Sequence, residues 1–196
     1  MSAPIYIVRH GQTDWNAEYR LQGQADIDLN ALGRSQATQN GHKLSALIGS
    51  DVHAFDFVAS PMARTRHTME LMRTAMGLDP AAYRMDERLK ELNFGDWQGY
   101  TLDELEALHP GTARERAFAK WDFCPPGDGA ESYQMLMERV EPVFRKLRGP
   151  AVCVTHGGVI RSLFCLVGTV TRQEASALVI RQDRILLWQN GTLEWL

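Results

Sequence analysis

Three short apolar runs constrain this chain more than any other feature: Ile5-Tyr6-Ile7-Val8, Phe57-Val58-Ala59 and Val152-Cys153-Val154. Each is continuous rather than alternating, and β-branched residues are prominent in them. A strand with one face in water alternates apolar and polar side chains, whereas a strand apolar on both sides must be covered on both faces. The runs therefore predict strands of a mostly parallel sheet between two layers of helix. That is an α/β three-layer sandwich.

The intervening segments supply the helices. Leu32 to Ile48 follows Asn30, a suitable N-cap. Pro61 to Met76 places Met62, Met69, Met72 and Met76 on one face and stops at Gly77. Thr101-x-x-Glu104 is a capping box, and His109-Pro110-Gly111 closes the short helix it opens. Ser132 to Leu147 repeats apolar residues at helical spacing, with Pro142 expected to kink it. Val159 to Val167 follows Gly157-Gly158 as a further apolar helix. The tail changes rhythm: Ala177 to Ile180, Arg184 to Trp188 and Thr192 to Leu196 read as strands, the last two joined by a hairpin at Asn190-Gly191. These antiparallel strands extend the sheet near one edge. The stretch from Arg114 to Asp128, with Pro125-Pro126-Gly127, reads as a loop or lid. No linker or repeat divides the chain, so residues 1–196 are expected to form one domain.

Composition narrows the class. With 24 acidic against 21 basic residues and a net charge of −3, no global positive field attracts nucleic acid. Three widely spaced cysteines, Cys124, Cys153 and Cys165, form neither a disulfide framework nor a zinc ribbon and suit a reducing compartment. Met1-Ser2-Ala3-Pro4 and the short run after it make no secretory leader, and Ser162 to Thr171 is half the length of a membrane span. A soluble cytoplasmic protein without membrane partners is expected.

In open α/β sheets, ligands bind beyond the carboxyl ends of the strands. Here the first run leads into Arg9-His10-Gly11, the second into Ser60-Pro61-Met62-Ala63-Arg64, and the third into Thr155-His156-Gly157-Gly158. Parallel neighbours bring these ends to one edge, so two histidines and two arginines converge beside helix N-termini. Such a cluster repels itself unless an anion occupies it. A phosphate dianion matches, because guanidinium groups and exposed backbone amides grip its oxygens. A divalent metal fits worse beside the arginines, and none is expected. Nearby positive charge also keeps imidazole neutral, and a neutral histidine facing phosphorus is a nucleophile.

The residues also resemble a known family. Arg9-His10-Gly11-Gln12-Thr13-Asp14-Trp15-Asn16 is similar to the RHGxTxxN signature of the histidine phosphatase, or phosphoglycerate mutase-like, superfamily. The resemblance continues in order through Leu21 to Leu29, Ser60 to Thr65, Glu91 to Gly99, Pro126-Gly127 with Glu131-Ser132, and Val154 to Gly158. It implies a phosphoglycerate mutase-like fold and a role for each matched position. His10 would become phosphohistidine, while Arg9, Arg64 and His156 would hold the phosphoryl oxygens. Asn16 would donate a further hydrogen bond. Glu91 would protonate the leaving alkoxide and then activate water. Gln22, Gly23 and Gly157 would line the substrate site. No cofactor is implied.

Within that resemblance two outcomes compete: hydrolysis, and return of the phosphoryl group to a second hydroxyl as in the mutases. Family mutases carry a basic stretch after the glutamate motif, whereas Tyr100, Thr101 and Leu102 follow Trp97-Gln98-Gly99 here. Their later arginine pair aligns with apolar residues around Phe118-Ala119, although Arg114, Arg116 and Lys120 stand close by. Hydrolysis of a small phosphorylated metabolite is therefore favoured, as in relatives acting on α-ribazole phosphate or phosphoserine. A third reading is a weakly active module that binds phosphorylated ligands or proteins; loss of His10, His156 or Glu91 would mark it, and all three are present. The C-terminal strands offer an edge along which two copies could pair as a homodimer.

The remaining polar residues have simpler expectations. Glu87 rivals Glu91 as the acid. Arg66 and Arg73 are expected to face water, and His42, His53, His67 and His109 to be surface or helix-packing residues. The methionine stripe is read as core, and Cys153 as an inert strand residue.

Overall fold

The computed structural model describes residues 3–196; Met1 and Ser2, part of the N-terminal stretch considered above, lie outside the described residues. The three apolar runs are strands β1 (Ile5–Arg9), β2 (Asp56–Ala59) and β4 (Ala151–Thr155). With β3 (Arg84–Met85), β5 (Ile185–Gln189) and β6 (Thr192–Trp195), they form a six-stranded sheet of order β3-β2-β4-β1-β5-β6. The pairs β1–β4, β4–β2 and β2–β3 are parallel, whereas β5 and β6 run antiparallel at the other edge. Asn190 and Gly191 turn the β5–β6 hairpin with φ of 51° and 77°, the left-handed geometry that its tight turn requires.

Alternate strand residues feed two cores. Tyr6, Val8, Phe57, Ala59, Val152 and Val154 pack with Leu44, Ile48, Met69 and Met72 from helices α2 (Ala31–Ile48) and α3 (Ala63–Ala75). Ile5, Ile7, Val58, Ala151 and Cys153 face the opposite layer, where helices α6 (Tyr133–Lys146) and α7 (Gly157–Val167) contribute Leu136, Val140, Val159, Ile160 and Leu163. Most of the methionine stripe is core, as read. Burial pushes the Cys153 thiol up to about 12, which leaves it unreactive.

Five features differ from the sequence reading. Ala177–Ile180 is not a strand: helix α8 spans Arg172–Ala177, opened by a Thr171–Glu174 capping box, and the chain is irregular from there to β5. The 114–128 stretch is loop only in part, because helix α5 (Thr112–Phe118) runs through its start, just after helix α4 (Leu102–Leu108). A one-turn helix α1 (Asp14–Ala17) follows β1, capped by Thr13 and Asn16 in a reciprocal box. Arg73 does not face water; it is buried, donates from Nε to the Asp79 carbonyl and lies 4.4 Å over the Phe57 ring. Arg66 is half-buried rather than fully solvated.

Candidate active site

The backbone ladder runs one residue beyond β1 and β2. The His10 amide donates to the Thr155 carbonyl at 2.9 Å, and the Ser60 amide to the Val154 carbonyl at 3.0 Å. Parallel pairing thus fixes His10 against His156, their rings edge to face with centroids 5.2 Å apart, and both are buried. A cleft of about 130 Å³ is lined by Arg9, His10, Asn16, Gln22, Gly23, Arg64, Glu91 and Gly157, all expected. Arg20, Leu21, Phe94, Tyr133 and Arg161 line it as well.

The protein leaves donors open here. Arg9 Nη1 donates to the Ile180 carbonyl at 2.7 Å, and Arg64 donates to the carbonyls of Ala25 at 2.7 Å and Gly23 at 2.6 Å. Arg9 Nε, Arg64 Nε and His156 Nδ1 are buried and have no hydrogen-bond partner in the protein. A buried polar group left unpaired costs about 1–3 kcal/mol. A tetrahedral oxyanion, with several acceptor oxygens and a negative charge, matches the two guanidinium nitrogens, and matches His156 Nδ1 too when the Ser60 hydroxyl donates to Nε2 and leaves the ring proton on Nδ1.

Charge sets the state of the histidines. Burial, then Arg64 and Arg9, hold His10 well below the usual imidazole value of 6.5, although the Gly11 carbonyl opposes this. Burial, then Arg64, His10 and Arg9, depress His156 similarly. Burial brings Arg9 and Arg64 down to about 10, so both stay charged at neutral pH. His10 Nδ1 lies 2.8 Å from the Gly11 carbonyl, which can only accept. The proton of the neutral ring therefore sits on Nδ1, and Nε2 keeps its lone pair.

Glu91 is held by backbone. The Gly158 amide, in the first turn of α7, reaches its two oxygens at 3.1 and 3.0 Å, and the Leu92 amide donates to Oε1 at 2.9 Å. Its rival Glu87 is exposed and paired with Lys90 at 2.6 Å, apart from the cleft lining. Asn16 and Gln22 contact each other: Asn16 Nδ2 donates to Gln22 Oε1 at 3.3 Å, while Gln182 donates to Asn16 Oδ1 at 2.8 Å. His67, outside the cleft, contacts Asp28 at 2.6 Å.

Two of the residues that escaped sequence reasoning are Arg161 and Arg139. Arg161 follows Gly157 by four residues on α7, a spacing that places both on one helix face and could have revealed it. Arg139 pairs with Glu131 at 2.7 Å and donates to the carbonyls of Arg88, Lys90 and Glu91, clamping the loop that carries the carboxylate. Only the three-dimensional fold assembles that clamp.

The geometry has counterparts among known proteins. A family model described as the histidine phosphatase superfamily (branch 1) matches residues 5–185. A Salmonella paratyphi C protein named "Probable phosphoglycerate mutase GpmB" is 35% identical over 171 residues, covering 85% of this chain and 74% of its own. "Phosphoglycerate mutase-like protein 4" of Arabidopsis thaliana is 33% identical over 167 residues, covering 83% and 70%. Among solved structures, mycobacterial glucosyl-3-phosphoglycerate phosphatase complexed with VO3 is similar with a TM-score of 0.79 and 28% identity, over 100% of this chain and 96% of that one.

Proposed function

This chain belongs to the histidine phosphatase superfamily, and from that premise we propose that it hydrolyses a small phosphomonoester through a phosphohistidine on His10. His10 Nε2 attacks phosphorus in line with the ester oxygen. Arg9, Arg64 and His156 meet the charge that gathers on the phosphoryl oxygens, the electrostatic contribution that dominates such transfers. Glu91 gives its proton to the departing alkoxide, leaving phosphohistidine, alcohol and a carboxylate. The carboxylate then takes a proton from water as the water oxygen attacks phosphorus, restoring His10 and releasing phosphate. Asn16, Gln22, Gly23 and Gly157 shape the space around the ester.

The observation that carries this reading is the pairing of a buried, neutral His10, its lone pair on Nε2, with orphaned donors on Arg9 and Arg64 and the unpaired Nδ1 of His156. Hydrolysis is favoured over mutation by Tyr100-Thr101-Leu102, which stand where mutases of the family carry basic residues. The mutase names among the relatives support the second reading, transfer back to another hydroxyl.

One experiment separates them. Phosphate release from p-nitrophenyl phosphate is measured first, alongside an acid-labile phosphoenzyme trapped by rapid quench; both should vanish in His10→Ala. Incubation with 3-phosphoglycerate and 2,3-bisphosphoglycerate then distinguishes free phosphate from the 2-phosphate isomer. Accumulation of the isomer would make the chain a mutase, and normal turnover by His10→Ala would end the phosphohistidine mechanism.

A further inference from the structure

Two buried imidazoles stand at neighbouring strand ends with opposite tasks. In the reaction proposed above, His10 must present a lone pair to phosphorus, whereas His156 must present a proton to the phosphoryl oxygens. Burial and the flanking arginines keep both rings uncharged at neutral pH. A neutral imidazole carries one proton, so the group bonded to one nitrogen decides what the other can do. For His10 that group is the Gly11 carbonyl, which can only accept. For His156 it is the Ser60 hydroxyl, 2.8 Å from Nε2, which can donate or accept.

The direction of that bond follows from its surroundings. Ser60 and His156 are both fully buried. The Ser60 amide donates to the Val154 carbonyl at 3.0 Å, and the Ser60 carbonyl accepts from Thr65 Oγ1 at 2.8 Å, so the backbone beneath the hydroxyl is fixed. Among the described residues, His156 Nε2 is the one hydrogen-bond partner of that hydroxyl. Were Nε2 to hold the ring proton and donate it, the Ser60 proton would lack an acceptor and the lone pair on His156 Nδ1 would lack a donor. When the hydroxyl donates to Nε2 instead, one group, Nδ1–H, remains unpaired. Each buried polar group without a partner is costly, so the arrangement with one orphan prevails over the arrangement with two. That orphan is a donor, like Arg9 Nε and Arg64 Nε, and one oxyanion satisfies all three.

We infer that Ser60 is the positioning residue that fixes the tautomer of His156: its hydroxyl donates to Nε2, keeps the ring proton on Nδ1, and so makes His156 a donor to the phosphoryl oxygens. Ser60 acts through the ring and touches no reacting atom. A carbonyl and a hydroxyl thereby set two like rings to unlike work. Both rings carry their proton on Nδ1, but the nitrogen left free is a lone pair on His10 and an N–H on His156. This deepens the reading above, on which it rests for the phosphoryl group that His156 meets.

Ring nitrogen-15 NMR of the wild-type protein, saturated with inorganic phosphate or vanadate at neutral pH, reads the tautomer directly. The His156 signals are those missing from His156→Gln. Nδ1 should show the shift of a protonated ring nitrogen, and Nε2 that of a lone-pair nitrogen accepting a hydrogen bond. In Ser60→Ala, Nε2 loses its donor, and part of the His156 population should move its proton to Nε2. The vanadate Kd should then rise about tenfold, since a hydrogen bond to a charged group is worth about ten- to hundredfold. For p-nitrophenyl phosphate, kcat should fall by about the same factor with KM within about threefold, because the lost donor matters most where charge gathers in the transition state. Ser60→Thr, which keeps the hydroxyl, should restore the proton on Nδ1 and most of the activity.

A proton on Nε2, or on both nitrogens, in the wild-type anion complex overturns the inference, and that measurement needs neither a folded variant nor turnover. An unchanged tautomer in Ser60→Ala overturns it equally, even where the melting temperature drops, because Ser60 would then only fill space. So does the failure of both anions to move the His156 signals. Hydrolysis stands or falls separately. A wild-type protein that releases phosphate from no ester, yet shows Nδ1–H in the anion complex, would lose the hydrolytic reading and keep the role of Ser60.

Discussion

Replacing Gly158 by alanine disturbs Glu91 without altering Glu91 itself. A Cβ at this position overlaps Glu91 Oε1 and stands 3.2 Å from Glu91 Cδ and 3.1 Å from Leu136 Cδ2. Non-bonded carbons settle at about 3.5–4.0 Å, so something must retreat by about 1 Å. Leu136 is fully buried in a packed helix layer, whereas the carboxylate ends a side chain with rotatable bonds. Glu91 therefore yields, and it loses both contacts from the Gly158 amide while that from Leu92 remains.

A misplacement of about 1 Å costs about 10²-fold in rate when it affects a reacting group. The loss should depend on the leaving group, because general acid catalysis matters for an alkoxide and little for p-nitrophenolate, which departs without a proton. In Gly158→Ala, kcat/KM for glycerol 3-phosphate should fall about 10²-fold, and that for p-nitrophenyl phosphate should stay within about fivefold. Alanine is a better helix former than glycine by about 1 kcal/mol, which offsets the local strain and leaves the melting temperature nearly unchanged. Glu91→Gln should show the same selective loss, and the double variant should lose little more than either single one. Equal losses on both esters, or additive losses in the double variant, would refute the assignment of Glu91 as the proton donor.

The parts of the site legible in the sequence are those generated by strand ends. His10, Arg64 and His156 each follow an apolar run that parallel pairing must align, so spacing and residue type sufficed to bring them together. Pieces built by long-range contact were opaque. Arg9 itself was legible at the end of β1, but its anchor, the Ile180 carbonyl 171 residues away, lies in a stretch whose apolar residues read as a strand. Thr171-x-x-Glu174 carries the same capping-box signal as Thr101-x-x-Glu104, yet the six-residue helix it opens was masked by Leu178-Val179-Ile180 just beyond it. Strand β3 is two exposed residues, Arg84 and Met85, with no apolar pattern to announce it. Arg73 looked like a solvated helix residue because its burial depends on Phe57 and on the turn at Asp79, neither of which lies on its own helix.

Arg64→Ala removes the bonds to the Gly23 and Ala25 carbonyls together with the free Nε. The rate should fall about 10²–10³-fold and vanadate inhibition should weaken in parallel; an unchanged inhibition constant would remove Arg64 from the phosphate site. Arg139→Gln breaks a pair whose side chains are 22% and 13% exposed, so denaturant titration should show a loss of about 2 kcal/mol, below the range for full burial. A midpoint matching wild type would mean the clamp on the Glu91 loop contributes nothing. The histidine pair makes stability depend on pH with a definite sign. Burial and the arginines keep His10 and His156 neutral in the folded chain well below 6.5, the value at which the unfolded chain takes up protons. Their contribution is therefore complete above pH 6.5 and erodes as the pH falls, by up to about 1.4 kcal/mol per unit for each ring. Between pH 6.5 and 5, above the range where most carboxylates titrate, the unfolding free energy should drop with that slope, and His156→Gln should remove about half of it. A flat profile across this interval would show that the rings accept protons in the folded state, and a protonated His10 has no lone pair on Nε2 with which to attack phosphorus.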